Sequence, residues 1–174
     1  MSVVNINGSI VRQSAYQQAR ASVANMQGGS LNTGGVLAAI QQLRPNTNVS
    51  TNTAAFSGGG RMNLSIHPAM LRRAGNDPEE MVRLKALAID HMNGMVDTVQ
   101  RFANRGIEIT AVGSVIHEDG TSSGWMMGRS KGANEIRTQF ELPEGERTSW
   151  AEIMQQKLEE LLESRTDETR SWMV

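Results

Sequence analysis

The run DPEEMVRLKALAIDHMNGMVDTVQRFANRG, residues 77–106, decides the reading of this chain. Its first four residues are a helix start. Asp77 can accept from the free N–H groups of a first turn, and Pro78 has the backbone angle of the first helical position. Glu79 and Glu80 oppose the positive end of the helix dipole. Behind them Met81, Leu84, Ala88, Met92, Met95, Val99 and Phe102 recur at steps of three and four, one apolar stripe. Arg105 adds a cation at the far end and Gly106 is the stop. At about 1.5 Å per residue the helix is roughly 40 Å long. Ordering that much backbone needs more than one stripe can return to it in isolation, so the stripe must dock. A β-sheet is the only sizeable partner the rest of the chain offers.

Strand patterns flank the helix. Before it, Met62, Leu64 and Ile66 alternate with Asn63 and Ser65, a half-buried strand that His67-Pro68 ends; Ala69 to Ala74 make one or two helical turns. After it, Ile107, Ile109, Ala111, Gly113 and Val115 share one strand face. His117-Glu118-Asp119-Gly120 reads as a hairpin turn, Asp-Gly being the strong local signal. The return strand covers Thr121 to about Arg129. Thr47 to Phe56 is β-prone yet too polar for a central strand, and Ser57-Gly58-Gly59-Gly60 follows as a turn. The expected fold is α+β, a three- or four-stranded antiparallel sheet with the long helix across one face.

This core is expected over residues 46–130. Residues 1–45 read as a low-complexity, helical extension rich in Ser, Asn, Gln and Gly, a composition that often stays disordered. Ile10, Ala15, Ala19, Val23 and Met26 are spaced for a helix from Ser9 to Met26, and Thr33 to Leu43 for a second one that Pro45 stops. Residues 131–174 read as an irregular linker followed by an acidic amphipathic helix. Ser149-Trp150-Ala151-Glu152 is its capping box, and Trp150, Ile153, Met154, Leu158 and Leu161 its apolar face.

The totals exclude several functions. The chain has 174 residues and no cysteine, which removes disulfides, thiolate metal sites and a cysteine nucleophile. No apolar run approaches the ~20 residues of a membrane span, and the start lacks a signal peptide's basic and apolar regions. The expected setting is the cytoplasm, or export without a cleavable signal. Net charge is −1, unevenly spread: residues 1–75 carry six arginines and no acid, whereas residues 141–174 carry nine acids and four bases. Opposite ends of this kind favour contact within a chain or head to tail between chains. Arg72 and Arg73 with Arg61 and Arg44 are the densest basic group, without interleaved aromatics. With a pI near 6.3, a dedicated nucleic-acid role is not expected.

Four segments carry a resemblance. They are Asn63-Leu64-Ser65-Ile66-His67-Pro68, Ala74-Gly75-Asn76-Asp77-Pro78-Glu79, Val112-Gly113-Ser114-Val115-Ile116-His117-Glu118-Asp119-Gly120, and Ser122-Ser123-Gly124-Trp125. Over residues 62–131 the chain is similar to a family of uncharacterised bacterial proteins, seen mostly in Firmicutes, known as a domain of unknown function. That family's usual form has Ile-Ser-Pro at the first segment and Asp-Glu-Asn-Gly at the third turn, so His67 and His117 depart from it. The resemblance implies a shared fold and brings no catalytic residue with it.

Two functional readings follow from the residues. The first is a non-enzymatic interaction or assembly module acting through its terminal helices, with a protein partner or a second copy. It rests on Arg12, Tyr16 and Arg20 at one end and Trp150, Leu158, Glu159 and Glu163 at the other; no cofactor is expected. The alternative is a small metal-dependent hydrolase in which His67 and His117, each ending a strand, join Glu118 or Asp119 as an open metal site. Ser57-Gly58-Gly59-Gly60-Arg61 is not a phosphate loop, because it leads into a strand and lacks the Lys-Ser/Thr pair. His91, beside the apolar stripe, reads as a boundary histidine. Asn7-Gly8-Ser9 matches a glycosylation sequon of the sort an Asn- and Ser-rich chain produces by chance.

Overall fold

The structure, a computed structural model, describes residues 2–26, 29–130, 136–142 and 156. In chain order the elements are β1 (Val3–Ile6), β2 (Ser9–Arg12), α1 (Gln13–Ala24), α2 (Thr33–Gln41), β3 (Asn48–Ser50), β4 (Met62–Ile66), α3 (Pro68–Asn76), α4 (Pro78–Asn104), β5 (Ile107–Ile116), β6 (Ser122–Ser130) and β7 (Ile136–Leu142). The fold is mixed α+β.

The long helix forms where its caps place it. The Asp77 carboxylate accepts from the Glu79 N–H at 2.8 Å, and Pro78 opens the helix. At the other end Gly106 adopts φ +76°, a left-handed angle that an L side chain rarely takes. The predicted stripe is buried at Met81, Leu84, Ala88, Met92, Met95 and Phe102, against β5 and β4.

The sheet is not all antiparallel. Among the described residues it has five strands in the order β3-β4-β5-β6-β7. β4 pairs with β5 in parallel, Met62 to Ile66 lying beside Val112 to Ile116, and β3 pairs with β4 in parallel; β5-β6-β7 is an antiparallel meander. The reason is the connection. β4 and β5 are joined by α3 and α4, and a strand that leaves through helices returns in the same direction rather than as a hairpin. The segment read as an irregular linker after residue 130 also departs from expectation, since residues 136–142 form strand β7. Its sequence alternates Ile136, Thr138, Phe140 and Leu142 with Arg137, Gln139 and Glu141, a period-two pattern.

The two sheet faces differ. Val112, Ser114, Ile116, Leu64 and Met126 share the face that α4 covers, while Gly113, Asn63, Ser65 and Trp125 lie on the other. Trp125 is opposite Gly113 in the register, and a β-carbon on Gly113 would overlap the indole. Residues 51–61, returning from β3 to the parallel β4, bring Phe56 to this second face, with its ring 5.4 Å from that of Trp125.

The largest correction concerns the N-terminus. Residues 3–12 are a β-hairpin rather than the start of a helix, turning at Asn7 (φ 48°) and Gly8 (φ 86°). Asn-Gly is the preferred two-residue turn because both positions need positive φ. The hairpin and α1 pack on α4, and Val11, Ala15 and Ala19 belong to the same hydrophobic cluster as the stripe and the sheet. Helix α4 therefore has fifteen of its 27 residues buried, including every position from Arg83 to Met92. A helix docked by one stripe cannot bury ten consecutive residues; a second layer on its back does so.

Candidate functional site

The second layer decides what the predicted site residues do. Arg12 leads from β2 into α1 and turns its guanidinium into α4. Nε pairs with the Asp90 carboxylate, Nη2 donates to the Asp90 carbonyl at 2.9 Å, and Nη1 reaches the exposed Asp97 carboxylate at 3.4 Å. The Asp90 side chain is 1% exposed. Arg12 thus holds the N-terminal layer to the helix and is spent inside the fold. Arg20, one helical face away, is exposed with its guanidinium 5.8 Å above the half-buried Tyr16 ring. Trp150, Leu158, Glu159 and Glu163 lie outside the described residues.

His67 and His117 do come together at the backbone. They follow the register pair Ile66 and Ile116 at the ends of parallel strands, and the His67 N–H donates to the Ile116 carbonyl at 2.9 Å. Their side chains serve other ends. His67 Nδ1 accepts from the Ala69 N–H at 3.2 Å, capping α3. That bond puts the proton of the neutral ring on Nε2, which then offers an N–H where a metal needs a lone pair. His117 Nε2 bonds the Ser123 hydroxyl at 3.0 Å. Asp119 accepts from the Thr121 hydroxyl at 2.7 Å and its N–H at 2.9 Å, which hold its carboxyl below the usual range. Glu118 is exposed, and its carbonyl receives the Arg73 guanidinium. Among the described residues no three His, Cys, Asp or Glu side chains converge to hold a metal.

A residue that periodicity assigned to a boundary is in the middle of the molecule. His91 is 3% exposed between α4 and the sheet, with Nδ1 2.7 Å from Ser114 Oγ and Nε2 3.3 Å from Ser122 Oγ. Burial, followed by the nearby Arg12 charge, pulls its pKa down to about 3. The ring is neutral at any ordinary pH and ties helix to sheet.

Surface charge is organised along α4. At the end where the helix begins stand Asp77, Glu79 and Glu80, with Glu118 and Asp119 on the adjoining turn. Arg83 clamps that turn: Nη2 donates to the Asp119 carbonyl and to Ser9 Oγ, both at 3.1 Å, and Nη1 lies 3.5 Å from Glu80. At the other end Arg101 and Arg105 finish α4, and Arg61 Nε donates to the Ile109 carbonyl at 3.1 Å. Arg129 faces Glu108 across the β5-β6 ladder, and Arg137 lies beside Met127. All five of these arginines are exposed, as is Glu108. Acids at the helix start and arginines at its end both complement the helix dipole.

Comparison with known proteins found no matching family model, no similar curated protein and no similar solved structure. Among the described residues no helix is long and apolar enough to cross a membrane.

Proposed function

We propose that this chain is a non-enzymatic assembly module that associates head to tail, the arginine-bearing end of α4 in one copy receiving the acidic carboxy-terminal segment of the next. One observation carries the reading: among the described residues Arg61, Arg101, Arg105, Arg129 and Arg137 gather at one end of the body, all of them exposed. The complement is in the same chain, since residues 143–174 hold eight acids against four bases. Glu159 and Glu163 supply charge there, and Trp150 and Leu158 apolar side chains. Opposite potentials steer such an encounter and the apolar contacts hold it. Arg12 leaves the interaction set, because its guanidinium is committed to Asp90. The kinship with the uncharacterised bacterial family belongs to the same proposal.

Solution mass by light scattering behind size exclusion tests the module. At low salt the full chain is expected to exceed monomer mass, and near 1 M salt, where the screening length falls to about 3 Å, to return to it. Reversing charge with Arg101→Glu and Arg105→Glu should give monomer at both salts without changing the thermal midpoint by more than a few degrees. A wild-type monomer at low salt overturns the proposal.

A further inference from the structure

Lys85 is the group that neither the core nor the assembly surface uses. It projects from α4 toward α1 and is 3% exposed. Its ammonium donates to Ser22 Oγ at 2.8 Å and contacts Met26 Sδ at 3.3 Å. Both acceptors are neutral, and among the described residues no carboxylate pairs with it. Buried lysines are rare unless paired, because moving an ammonium out of water costs far more than a hydroxyl and a thioether return. Burial accordingly lowers its pKa from the ordinary lysine value.

One of these neighbours, Met26, also borders a cleft. One helical turn before Lys85, Met81 lines a cavity of about 380 Å³, together with Val23 and Met26 from the α1 side, Leu31, and Ala74 and Pro78 from the α3-α4 junction. This volume is in the range of small-molecule sites, roughly 300–1,000 Å³. The polar groups at its rim are already satisfied: Ser30 bonds Asn76 at 2.9 Å, and Asp77 caps α4. Lys85 itself stands behind the cleft wall; Met26, a flexible and unbranched side chain, both lines the cleft and touches the ammonium.

We propose that this cleft binds a short apolar carboxylate, its chain on the methionine-lined walls and its head on the Lys85 ammonium. The apolar walls supply affinity, and the buried cation selects an anionic head over a neutral one. Asp77 at the mouth disfavours a second anionic group, so the ligand carries a single carboxylate at one end.

The test is an NMR titration of the full chain carrying ¹³C-methyl methionine, with decanoate and, separately, decanol. Decanoate is expected to shift the Met26 and Met81 methyls saturably, and decanol to bind at least ten-fold more weakly. Lys85→Met keeps the unbranched shape and removes the buried charge, so it should fold and lose the ten-fold preference. Lys85→Arg should retain it. Absence of a saturable shift in the wild-type chain, or equal affinity for decanol, overturns the proposal. So does an undiminished decanoate preference in Lys85→Met.

Discussion

Lowering the pH from 7 to 4 loads a proton onto residue 91 of the unfolded chain but not of the folded one. In the fold His91 is sealed between α4 and the sheet, with both ring nitrogens committed to Ser114 and Ser122, and its pKa is pulled to about 3 from the ordinary 6.5. The folded value is depressed, so the unfolded chain binds more protons between those limits. The contribution is fully present above about pH 6.5 and is lost progressively as pH falls toward 3. A difference of one proton gives a slope of about 1.4 kcal/mol per pH unit, hence about 2 kcal/mol between pH 6 and 4.5. Carboxylates add their own acid sensitivity at the lower end of this range, so the measurement is a difference. Urea unfolding of wild type and His91→Gln at pH 7, 6, 5 and 4.5 isolates the term. Glutamine can hydrogen-bond a serine and does not titrate. The wild-type stability should fall relative to the variant by about 2 kcal/mol between pH 6 and pH 4.5. If the two curves stay parallel, His91 is not held neutral by burial, and the account of the helix–sheet interface is wrong.

Other perturbations probe the remaining contacts. Asp90→Ala strands the Arg12 guanidinium and should cost about 3 kcal/mol, the low end for a broken buried pair because Asp97 is still within reach. Combining it with Arg12→Met should recover part of that loss, and additive costs in chemical denaturation would refute the pairing. Gly113→Ala drives a methyl into Trp125 and should cost about 1–3 kcal/mol through overpacking; an unchanged thermal midpoint would contradict the packing of the second sheet face. Removing residues 1–26 uncovers Asp90, Lys85 and the back of α4, and should abolish the cooperative calorimetric transition. A truncated chain melting within a few degrees of wild type would show that the N-terminal layer is dispensable.

What the sequence determined by itself is what local chemistry controls. The α4 cap at Asp77, its stop at Gly106, the strands on either side and the 117–120 turn follow from groups within a few residues of one another. Two further local signals were present but outweighed. Asn7-Gly8 between apolar pairs marks the first hairpin, inside a composition that suggests disorder, and the alternation in 136–142 marks β7. Parallel pairing of β4 with β5 was readable only from the helices joining them. The roles of individual polar side chains depend on contacts far along the chain. Arg12 looks like a surface cation until Asp90, 78 residues away, is brought against it. His67 looks like a ligand until its ring is seen to cap α3, and the burial of Lys85 follows from α1 covering it. Amphipathic periodicity shows which stripe of a helix is greasy enough to bury first. Whether the polar back of the helix is also taken out of water depends on what else docks there, and only the tertiary structure decides that.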